Sequence, residues 1–322
     1  LWRALEKLKV MWGDPDIPTE PIPPYQLRPP SNFTVLLYGF SKWYHLFNPR
    51  QLLTLVKLVK LIREAGRLAE EEKLREGWGR EDAHKYAEAV TTYLATALVK
   101  YADYSSLTAG WNQSLIMGHS LSMRGVAMVW NWDDMTPWAS WTGTYLRNLN
   151  TLVEGLSYLV SAVSGSPGGV RVVLDDAAEL SQLEGEKFDV IVTDPPYADD
   201  VPYAELSDFY YVWLKRALSD VGEGGLRPRF LPEAFFDEFG IEIPTQWERF
   251  APKEVSEDKG RWEHFKLRVT FADLLARAFS NVLRFLKEDG LLVVYYVAKR
   301  PESWAALVDA LWRRNGMSLV AA

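Results

Sequence analysis

Apolar residues recur every three or four positions through much of the first half of the chain. The clearest stripe comprises Leu52, Leu55, Val56, Val59 and Ile62. This spacing predicts an amphipathic helix, and the Asn48-Pro49 pair just before it is typical of a helix start. Helical patterns also cover 83–101 and 140–163, whereas 111–141 is rich in tryptophan and fits neither a helical nor a strand period. Residues 1–163 are therefore predicted to be mainly helical.

The pattern changes after the glycine-rich stretch 164–169. Apolar runs of strand length follow at 170–174, 188–193, 291–297 and 317–322. Helical stripes lie between them around 206–213, 271–286 and 304–311. Continuous apolar strands that alternate with helices are typical of a parallel sheet covered on both faces. We therefore predict an α/β region over 164–322, with a loop-like insertion at about 219–262.

Length and composition fit a soluble globular protein. The 322 residues allow two domains, and 48% of them are hydrophobic and 25% charged. No apolar run approaches the ~18 residues of a membrane span, so we expect no membrane association. The absence of cysteine excludes disulfides and cysteine-ligated zinc, and it fits a cytoplasmic location. Because the chain begins at Leu1 and ends within a predicted strand, we expect a piece of a longer protein or an incomplete chain.

Charge and aromatic content narrow the range of partners. A net charge of −7 disfavours a surface that coats nucleic acid broadly, although it allows a local basic groove. The four histidines lack the spacing of metal ligands: His45, His84, His119 and His264. The 14 Trp, 15 Tyr and 14 Phe residues fit a heavily packed core, from which base stacking would need only a few.

The apolar run 188–193 ends in the turn Asp194-Pro195-Pro196-Tyr197. Proline has no backbone N–H and a fixed φ, so two adjacent prolines stop the strand and form a rigid turn. Parallel sheets bind ligands beyond the carboxyl ends of their strands, which is where this turn falls.

The turn carries groups that could activate an exocyclic amine of a nucleobase. Such an amine is a poor nucleophile because its lone pair is delocalised into the ring. A carboxylate and a carbonyl that accept its two N–H groups would stabilise the positive charge that develops as the nitrogen attacks a methyl group. Asp194 offers the carboxylate and Pro195 a stiff carbonyl. Tyr197 offers a ring on which a base flipped out of its helix could stack.

The same residues resemble a known motif. Asp-Pro-Pro-Tyr after a hydrophobic strand resembles the catalytic motif of S-adenosylmethionine-dependent methyltransferases that act on adenine N6, on cytosine N4, or on guanine N2 in RNA. Longer stretches resemble the adenine-specific DNA methylases that contain a zinc ribbon, and together they span about residues 36–322. These stretches are "LFNPRQLLTLVKLVKLIREA", "VAMVWNWDDMTPW", "TDPPYADDVPYAELSDFYYVWLKR", "APKEV", "RFLKEDGLLVVYYVAK" and "SWAALVDALWRRNGMSLVAA".

The resemblance implies a Rossmann-like methyltransferase fold, of which this chain would hold the carboxy-terminal strands, and the cofactor S-adenosylmethionine. It assigns the catalytic turn to Asp194, Pro195, Pro196 and Tyr197. Tyr203 follows the turn at the start of the next helix and is a candidate to line the base pocket, although an aromatic residue at the start of an amphipathic helix has a packing explanation as well.

Two further pairs are candidates for cofactor binding. Asn48-Pro49 resembles the Thr-Pro-Arg helix start that contacts the cofactor in many adenine-N6 methyltransferases, although an ordinary helix cap explains the same residues. Asp175-Asp176 follows a predicted strand at the point where these enzymes often have an acid near the cofactor's adenine. A solvated strand end would look much the same.

Several family features are missing from the sequence. The zinc ribbon, the first two strands of the sheet and the acid that holds the cofactor's ribose have no counterpart. Neither glycine-rich stretch, Gly165–Gly169 or Gly222–Gly225, follows a strand and opens a helix as a cofactor loop must. We therefore expect a further segment or subunit to supply the glycine-rich loop.

These features favour one function and leave others open. The leading hypothesis is an enzyme that methylates adenine N6 in DNA with base flipping, so DNA is the expected partner and RNA the alternative. Guanine-N2 methylation of RNA and cytosine-N4 methylation use nearly the same tetrapeptide. A non-catalytic, methyltransferase-like subunit of a DNA-handling complex and a merely structural proline corner are the remaining alternatives.

Overall fold

The computed structural model divides the chain into two compact units. The first comprises Leu1–Gly165 and Ala204–Glu248, and the second comprises Ser166–Tyr203 and Arg249–Ala322. Residues 204–248 group with the first unit, although the sequence pattern assigned them to the α/β region. The structure describes residues 2–23, 34–111, 117–121, 125–126, 128–130, 133–165, 168–198, 201–298 and 300–320.

Helices and strands follow the chain in this order. The helices are α1 (Trp2–Val10), α2 (Pro49–Arg75), α3 (Arg80–Tyr104), α4 (Tyr145–Val163), α5 (Tyr203–Leu218), α6 (Trp247–Phe250), α7 (Lys259–His264), α8 (Phe271–Leu283) and α9 (Pro301–Val308). The strands are β1 (Phe188–Thr193), β2 (Asp220–Gly222), β3 (Gly225–Arg227) and β4 (Leu286–Val294). Short 3₁₀ turns occur at Thr34–Tyr38, Trp43–Leu46, Ser181–Leu183, Pro232–Ala234 and Ala251–Lys253. A π-helical turn, Asp309–Arg313, continues α9.

Helix α2 begins where the sequence predicts. The Asn48 side chain accepts hydrogen bonds from the backbone N–H groups of Arg50 and Gln51, and Gln51 Oε1 accepts from the Asn48 N–H over 2.8 Å. Pro49 occupies the first turn, where its missing N–H costs nothing. The predicted apolar stripe of α2 is buried, and α3 packs against this helix.

Helix α5 is held in the first unit by both apolar and charged residues. Phe209 and Trp213 are buried, and so are Lys215 and Arg216. Both cations lie 2.8 Å from Glu20 Oε1. Burial alone would raise the pKa of the Glu20 carboxyl, but the neighbouring Arg216 and Lys215 lower it below its usual value. The pairing is what makes the burial of these charges tolerable.

The second unit is built on the two-stranded parallel sheet formed by β1 and β4. The pairing runs from Val190 beside Leu291 to Thr193 beside Val294. Helices α8 and α9 and the π-helical turn pack together through a buried apolar cluster. Ala198, the residue after the proline turn, belongs to this cluster with Phe271, Leu275, Ala276, Phe279, Leu307 and Ala310. The molecule therefore combines helices with a small parallel sheet, as expected of the α/β class.

Two predicted strands do not form. Residues 170–174 pair with no strand in the described part of the chain, and Val170, Val172 and Leu174 point into solvent. A strand requires a neighbour for its backbone hydrogen bonds, which explains why this apolar run stays unpaired. Residues 317–320 likewise lie outside any strand, and 321–322 fall outside the described residues.

The insertion at about 219–262 is more structured than the predicted loop. Strands β2 and β3 form an antiparallel hairpin, and α6 and α7 also lie in this stretch. Gly224 and Gly225 turn the hairpin with φ of +86° and +135°. These backbone angles suit glycine, which has no Cβ.

Helix α4 lies on the surface of the first unit. None of its residues is buried, and apolar side chains such as Val153, Leu159 and Val160 are exposed. Nevertheless, no helix among the described residues is long and apolar enough to cross a membrane.

Candidate active site

The proline turn lies at the carboxyl end of β1, beside the carboxyl end of β4. The parallel pairing ends with Thr193 opposite Val294, and the Tyr295 N–H donates to the Thr193 carbonyl over 2.8 Å. Pro195 is buried, whereas Asp194 is exposed. The buried ring anchors the turn while the carboxylate stays accessible to a ligand.

The Asp194 carboxylate and the Tyr197 phenol contact each other. The Tyr197 hydroxyl donates a short hydrogen bond to Asp194 Oδ1. This bond, followed by burial and by Asp194 and the nearby phenols of Tyr203 and Tyr296, holds the pKa of Tyr197 above its usual value. No other donor in the described part of the chain bonds the Asp194 carboxylate or the Pro195 carbonyl. Both can therefore accept further N–H groups.

Tyr197 belongs to a row of aromatic rings. Its ring meets that of Tyr296 edge to face, with centroids 5.3 Å apart and planes at 88°. Tyr296 meets Trp304 in the same manner, at 5.1 Å and 82°. The Tyr296 hydroxyl donates to the Ser303 carbonyl and Trp304 Nε1 donates to the Ala298 carbonyl, each over 3.1 Å. The row therefore holds the ring of Tyr197 in one orientation.

Sequence reasoning missed Tyr296 and Trp304. A signal for Tyr296 was present, because 291–297 was predicted as a strand of the same parallel sheet. The carboxyl ends of parallel strands lie at the same edge of a sheet, so residues near position 296 are expected to lie beside Asp194. Trp304 gave no comparable signal, since its spacing within a helical stripe is explained by packing.

The chain leaves the turn through a strained residue. Ala198 has a φ of +71°, in the left-handed region that favours glycine. Its methyl group is buried in the cluster with Phe271, and its carbonyl accepts a hydrogen bond from the Glu257 N–H over 2.9 Å. Such strain persists only where the surroundings impose it, and it is common at functional sites. Asp199 and Asp200, the next two residues of the sequence, lie outside the described residues.

Tyr203 stands beside the turn at the start of α5. Its side chain is exposed, and its phenol is close enough to contribute to the pKa shift of Tyr197. Its N–H donates to Glu254 Oε1 over 3.1 Å, and Glu254 Oε2 lies 3.2 Å from the buried Arg261. Arg261 also donates to Ser256 Oγ over 2.7 Å. The stretch around Glu254 thus fixes the start of α5, while the role of Tyr203 in base binding stays a prediction.

Asp175 and Asp176 brace their own turn. Asp175 accepts hydrogen bonds from the Gln182 N–H over 2.7 Å and from the Ser181 hydroxyl over 3.3 Å, and the bond from Gln182 is the main cause of its lowered pKa. Asp176 lies 3.3 Å from Lys253 Nζ. Both carboxylates therefore have protein partners in this structure. Their cofactor role stays a prediction.

Asn48 and Pro49 belong to the first unit, where they form the cap of α2. Asn48 Nδ2 also donates to Asp134 Oδ1 over 2.7 Å, and Arg50 pairs with the other oxygen of that carboxylate. The helix-cap explanation accounts for these contacts. Their predicted cofactor role stays a prediction.

The glycine-rich stretches do not form a cofactor loop in the described residues. Gly222–Gly225 turns the β2–β3 hairpin, and 166–167 of the other stretch lie outside the described residues. Within the part of the chain that the structure describes, no group of three or more His, Asp and Glu residues could hold a metal ion.

Comparisons with known proteins leave the site to be interpreted from its own geometry. No family model matches the chain, and neither a curated protein nor a solved structure matches it. The geometry offers an exposed carboxylate, a rigid proline carbonyl and a row of aromatic rings at the carboxyl edge of a parallel sheet. This combination suits an amine attached to a flat ring.

Proposed function

We propose that this protein transfers a methyl group from S-adenosylmethionine to an exocyclic amine of a nucleobase, with adenine N6 in DNA as the substrate. The observation that carries the proposal is the pair of acceptors at the end of β1: the exposed Asp194 carboxylate and the Pro195 carbonyl without a described donor. The choice of adenine in DNA rests on the resemblance of the longer motifs.

The two acceptors would hold the amine through its two N–H groups. Each hydrogen bond draws the lone pair of the nitrogen away from the ring and toward a tetrahedral geometry. The negative charge of Asp194 then stabilises the positive charge that develops on the nitrogen during attack. Pro195 contributes a carbonyl whose direction is fixed by the ring, so little reorganisation is needed when the charge develops.

The aromatic residues would bind the base itself. The ring of Tyr197 meets the ring of Tyr296 edge to face. In the proposal, the base stacks on a face of the Tyr197 ring. Tyr203 is exposed beside it and offers a second contact for the flipped base. The hydroxyl of Tyr197 bonds Asp194 Oδ1, so the amine would use Oδ2 or displace this hydroxyl.

When bound, S-adenosylmethionine supplies an electrophilic methyl group. Asp175 and Asp176 of the second unit are the residues that would hold it. Asp175 fits this role because its bonds from the Ser181 hydroxyl, at 3.3 and 3.4 Å, are long enough for a hydroxyl or amine of the cofactor to replace.

A Rossmann-like methyltransferase fold is part of the same proposal. It is supported by the parallel pair β1–β4 with helices packed on one face. The opposite face exposes Val190, Val192 and Leu291, although parallel sheets are normally covered on both faces. We therefore infer that a further segment or subunit supplies the remaining strands and the glycine-rich cofactor loop.

The same exposed face favours a second candidate function. A methyltransferase-like subunit of a DNA-handling complex would dock another polypeptide on this face and need no cofactor of its own. The acceptor pair counts against this candidate, because a subunit without catalysis has no chemical need for an exposed carboxylate beside a proline carbonyl.

A transfer assay with tritiated S-adenosylmethionine tests the proposal. The full-length protein, together with any subunit that co-purifies with it, is incubated with DNA, with RNA and with free nucleosides, and the labelled base is identified after hydrolysis. We expect N6-methyladenine from DNA, suppressed by excess S-adenosylhomocysteine. Label on guanine or on cytosine would correct the substrate but keep the amine chemistry. No label on any substrate would reject the enzyme in favour of the subunit.

A further inference from the structure

A cavity of about 360 Å³ opens to solvent in the tryptophan-rich segment of the first unit. Trp111 and Trp141 contribute indole rings to its lining, Met117 and Met135 contribute thioethers, and Asp134 contributes a carboxylate. The volume lies in the range of about 300–1,000 Å³ that small-molecule sites occupy. The residues of the amine site do not contribute to it.

Hydrogen bonds from two helices hold this cavity in shape. At the start of α2, Asn48 Nδ2 donates to Asp134 over 2.7 Å, and Gln51 Nε2 donates over 2.8 Å to the carbonyl of the preceding residue. From α3, the Tyr101 hydroxyl donates to the Met135 carbonyl. The loop that lines the cavity is therefore preorganised, which lowers the entropic cost of binding a ligand.

The turn that carries Trp141 is equally constrained. Gly143 has a φ of +87°, and a Cβ at this position would lie 2.7 Å from the ring of Tyr104. The Thr144 hydroxyl donates to the Trp141 carbonyl over 3.0 Å. Even so, Trp141 is 73% exposed and Trp111 52% exposed. Indole rings left in water on a fixed backbone indicate a surface that a ligand covers.

The lining groups share an affinity for cations. Indole rings attract positive charge to their faces, and tryptophan does so more strongly than tyrosine or phenylalanine. Thioethers are polarisable, and Asp134 adds a full negative charge. No lysine or arginine is found among the described residues that line the cavity. Arg50, which lies beside the cavity without lining it, is already paired with Asp134, so a phosphate group would meet a neutralised cation, which disfavours a nucleotide.

We propose that this cavity binds an organic cation whose charge lies on an alkylated nitrogen or sulfur: a methylated ammonium or a sulfonium. Its alkyl groups pack against Trp111 and Trp141, and its charge faces Asp134. We call these two ligand classes the ammonium source and the sulfonium source; both carry a positive charge surrounded by alkyl groups. The sulfonium source would make the cavity part of cofactor binding and so rests on the proposed function, whereas the ammonium source is independent of methyl transfer.

Substitutions of Arg50 and of Asp134 are expected to change the affinity for a cation in opposite directions. Arg50 pairs with Asp134 without lining the cavity, and its side chain is 57% exposed. A quaternary ammonium or a sulfonium donates no hydrogen bond, so its charge needs only to lie near Asp134, which keeps its contacts with Asn48 and Arg50. The charge of Arg50 nevertheless repels a second cation. Arg50→Gln should therefore strengthen cation binding, whereas Asp134→Asn should weaken it.

Titration of the full chain with matched probes tests the proposal. Choline is compared with 3,3-dimethylbutanol, which has the same shape but no charge, and S-adenosylmethionine is compared with S-adenosylhomocysteine, which lacks the sulfonium charge. Binding is followed by calorimetry and by ligand-observed NMR. Trp141→Ala should lower the affinity of the cation by about 3- to 30-fold. Trp138→Ala is the matched control, because Trp138 is 74% exposed in the same segment but does not line the cavity.

The outcomes separate the two sources. Choline binding that depends on Trp141 supports the ammonium source, and S-adenosylmethionine binding that depends on Trp141 supports the sulfonium source. Loss of methyl transfer in Asp194→Ala with cation binding intact would leave this proposal standing. It is overturned if no cation binds, if each compound without the ammonium or sulfonium charge binds as tightly as its charged counterpart, or if Trp138→Ala weakens binding as much as Trp141→Ala.

Discussion

Charged side chains serve opposite purposes in the two units of this protein. In the first unit, Lys215 and Arg216 are buried, and both pair with Glu20. Lys215 also lies 2.7 Å from Glu242. In the second unit, Asp194 is exposed and receives one hydroxyl hydrogen bond in the described residues.

The difference separates stability from chemistry. Charges taken out of water are costly unless each is paired, so loss of one member of the buried cluster is felt by the whole fold. An exposed carboxylate adds little to stability. The proposed amine binding would give this carboxylate, on its rigid proline turn, a role other than stability.

The largest effect is expected from breaking the buried cluster. Glu20→Gln removes the counter-charge that Lys215 and Arg216 share and should lower the free energy of unfolding by about 3–5 kcal/mol. Chemical denaturation measures this loss. The control is Glu64→Gln on α2, whose exposed pair with Arg67 should contribute nothing measurable. Equal losses of unfolding free energy in the two variants would contradict the contrast between buried and exposed charges.

Asp208, a buried acid that pairs with no cation among the described residues, sharpens the same contrast. Asp208 accepts hydrogen bonds from Thr245 Oγ1 over 2.6 Å and from Trp43 Nε1 over 3.3 Å. Burial raises its pKa from 3.8 to about 6, so its ionisation opposes folding. Its contribution to the free energy of unfolding is full at low pH and is lost as the pH rises through about 6. The loss is on the order of 2–3 kcal/mol.

Asp208→Asn should abolish this pH dependence, because the amide resembles the protonated acid and does not ionise: its oxygen can accept from Trp43 Nε1 and its NH2 can donate to the Thr245 hydroxyl. The difference between the stability curves of the wild type and the variant, measured from pH 4 to pH 7, isolates the effect. The paired Glu20 has a lowered pKa and so loses its contribution as the pH falls, which is the opposite sign. A flat difference curve would show that Asp208 is more hydrated than the structure indicates.

Tyr197 tests whether the exposed turn binds a base. Tyr197→Ala should weaken the binding of single-stranded DNA by about 5- to 150-fold if the ring stacks on a base. Fluorescence anisotropy with a labelled oligonucleotide measures the change. Tyr295→Ala is the control, because Tyr295 is also exposed near the end of β4 but is not part of the aromatic row. Similar losses in both variants would point to a general effect of exposed tyrosines.

The smallest effect is expected at Ala198. Ala198→Gly relieves a left-handed backbone, worth about 1–2 kcal/mol, and removes a buried methyl group, worth about 0.8 kcal/mol. The two changes nearly cancel, so the free energy of unfolding should change by less than about 1 kcal/mol. Ala198→Val keeps the strain and adds a branched side chain, so it should be clearly less stable. Thermal unfolding of both variants checks the order, and a more stable valine variant would contradict it.

Elements with complete local signals could be predicted from the sequence. Asn48, Pro49 and the apolar stripe that follows define α2 without help from the rest of the chain. The run 188–193 and the proline turn likewise define β1 and its end. These signals act within a few residues, so a single sequence is sufficient to read them.

Features that depend on distant neighbours could not be predicted. The run 170–174 has the composition of a strand, but pairing also requires an adjacent strand, which the described residues do not supply. The parallel pairing of β1 and β4 could place Tyr296 near the turn, but its edge-to-face contact with Tyr197 depends on side-chain packing. The support from Glu254 and Arg261 arises in an insertion whose sequence looked like a loop. Each depends on packing that local patterns do not encode.

The rate of methyl transfer in Asp194→Ala tests the central claim most directly. The control is Asp189→Ala, which removes an exposed aspartate of β1 that pairs with Lys287 over 2.6 Å. We predict that Asp194→Ala lowers the rate by about 10²- to 10³-fold without changing the unfolding transition, and that Asp189→Ala leaves both unchanged. Transfer that continues at the wild-type rate without Asp194 would contradict the account.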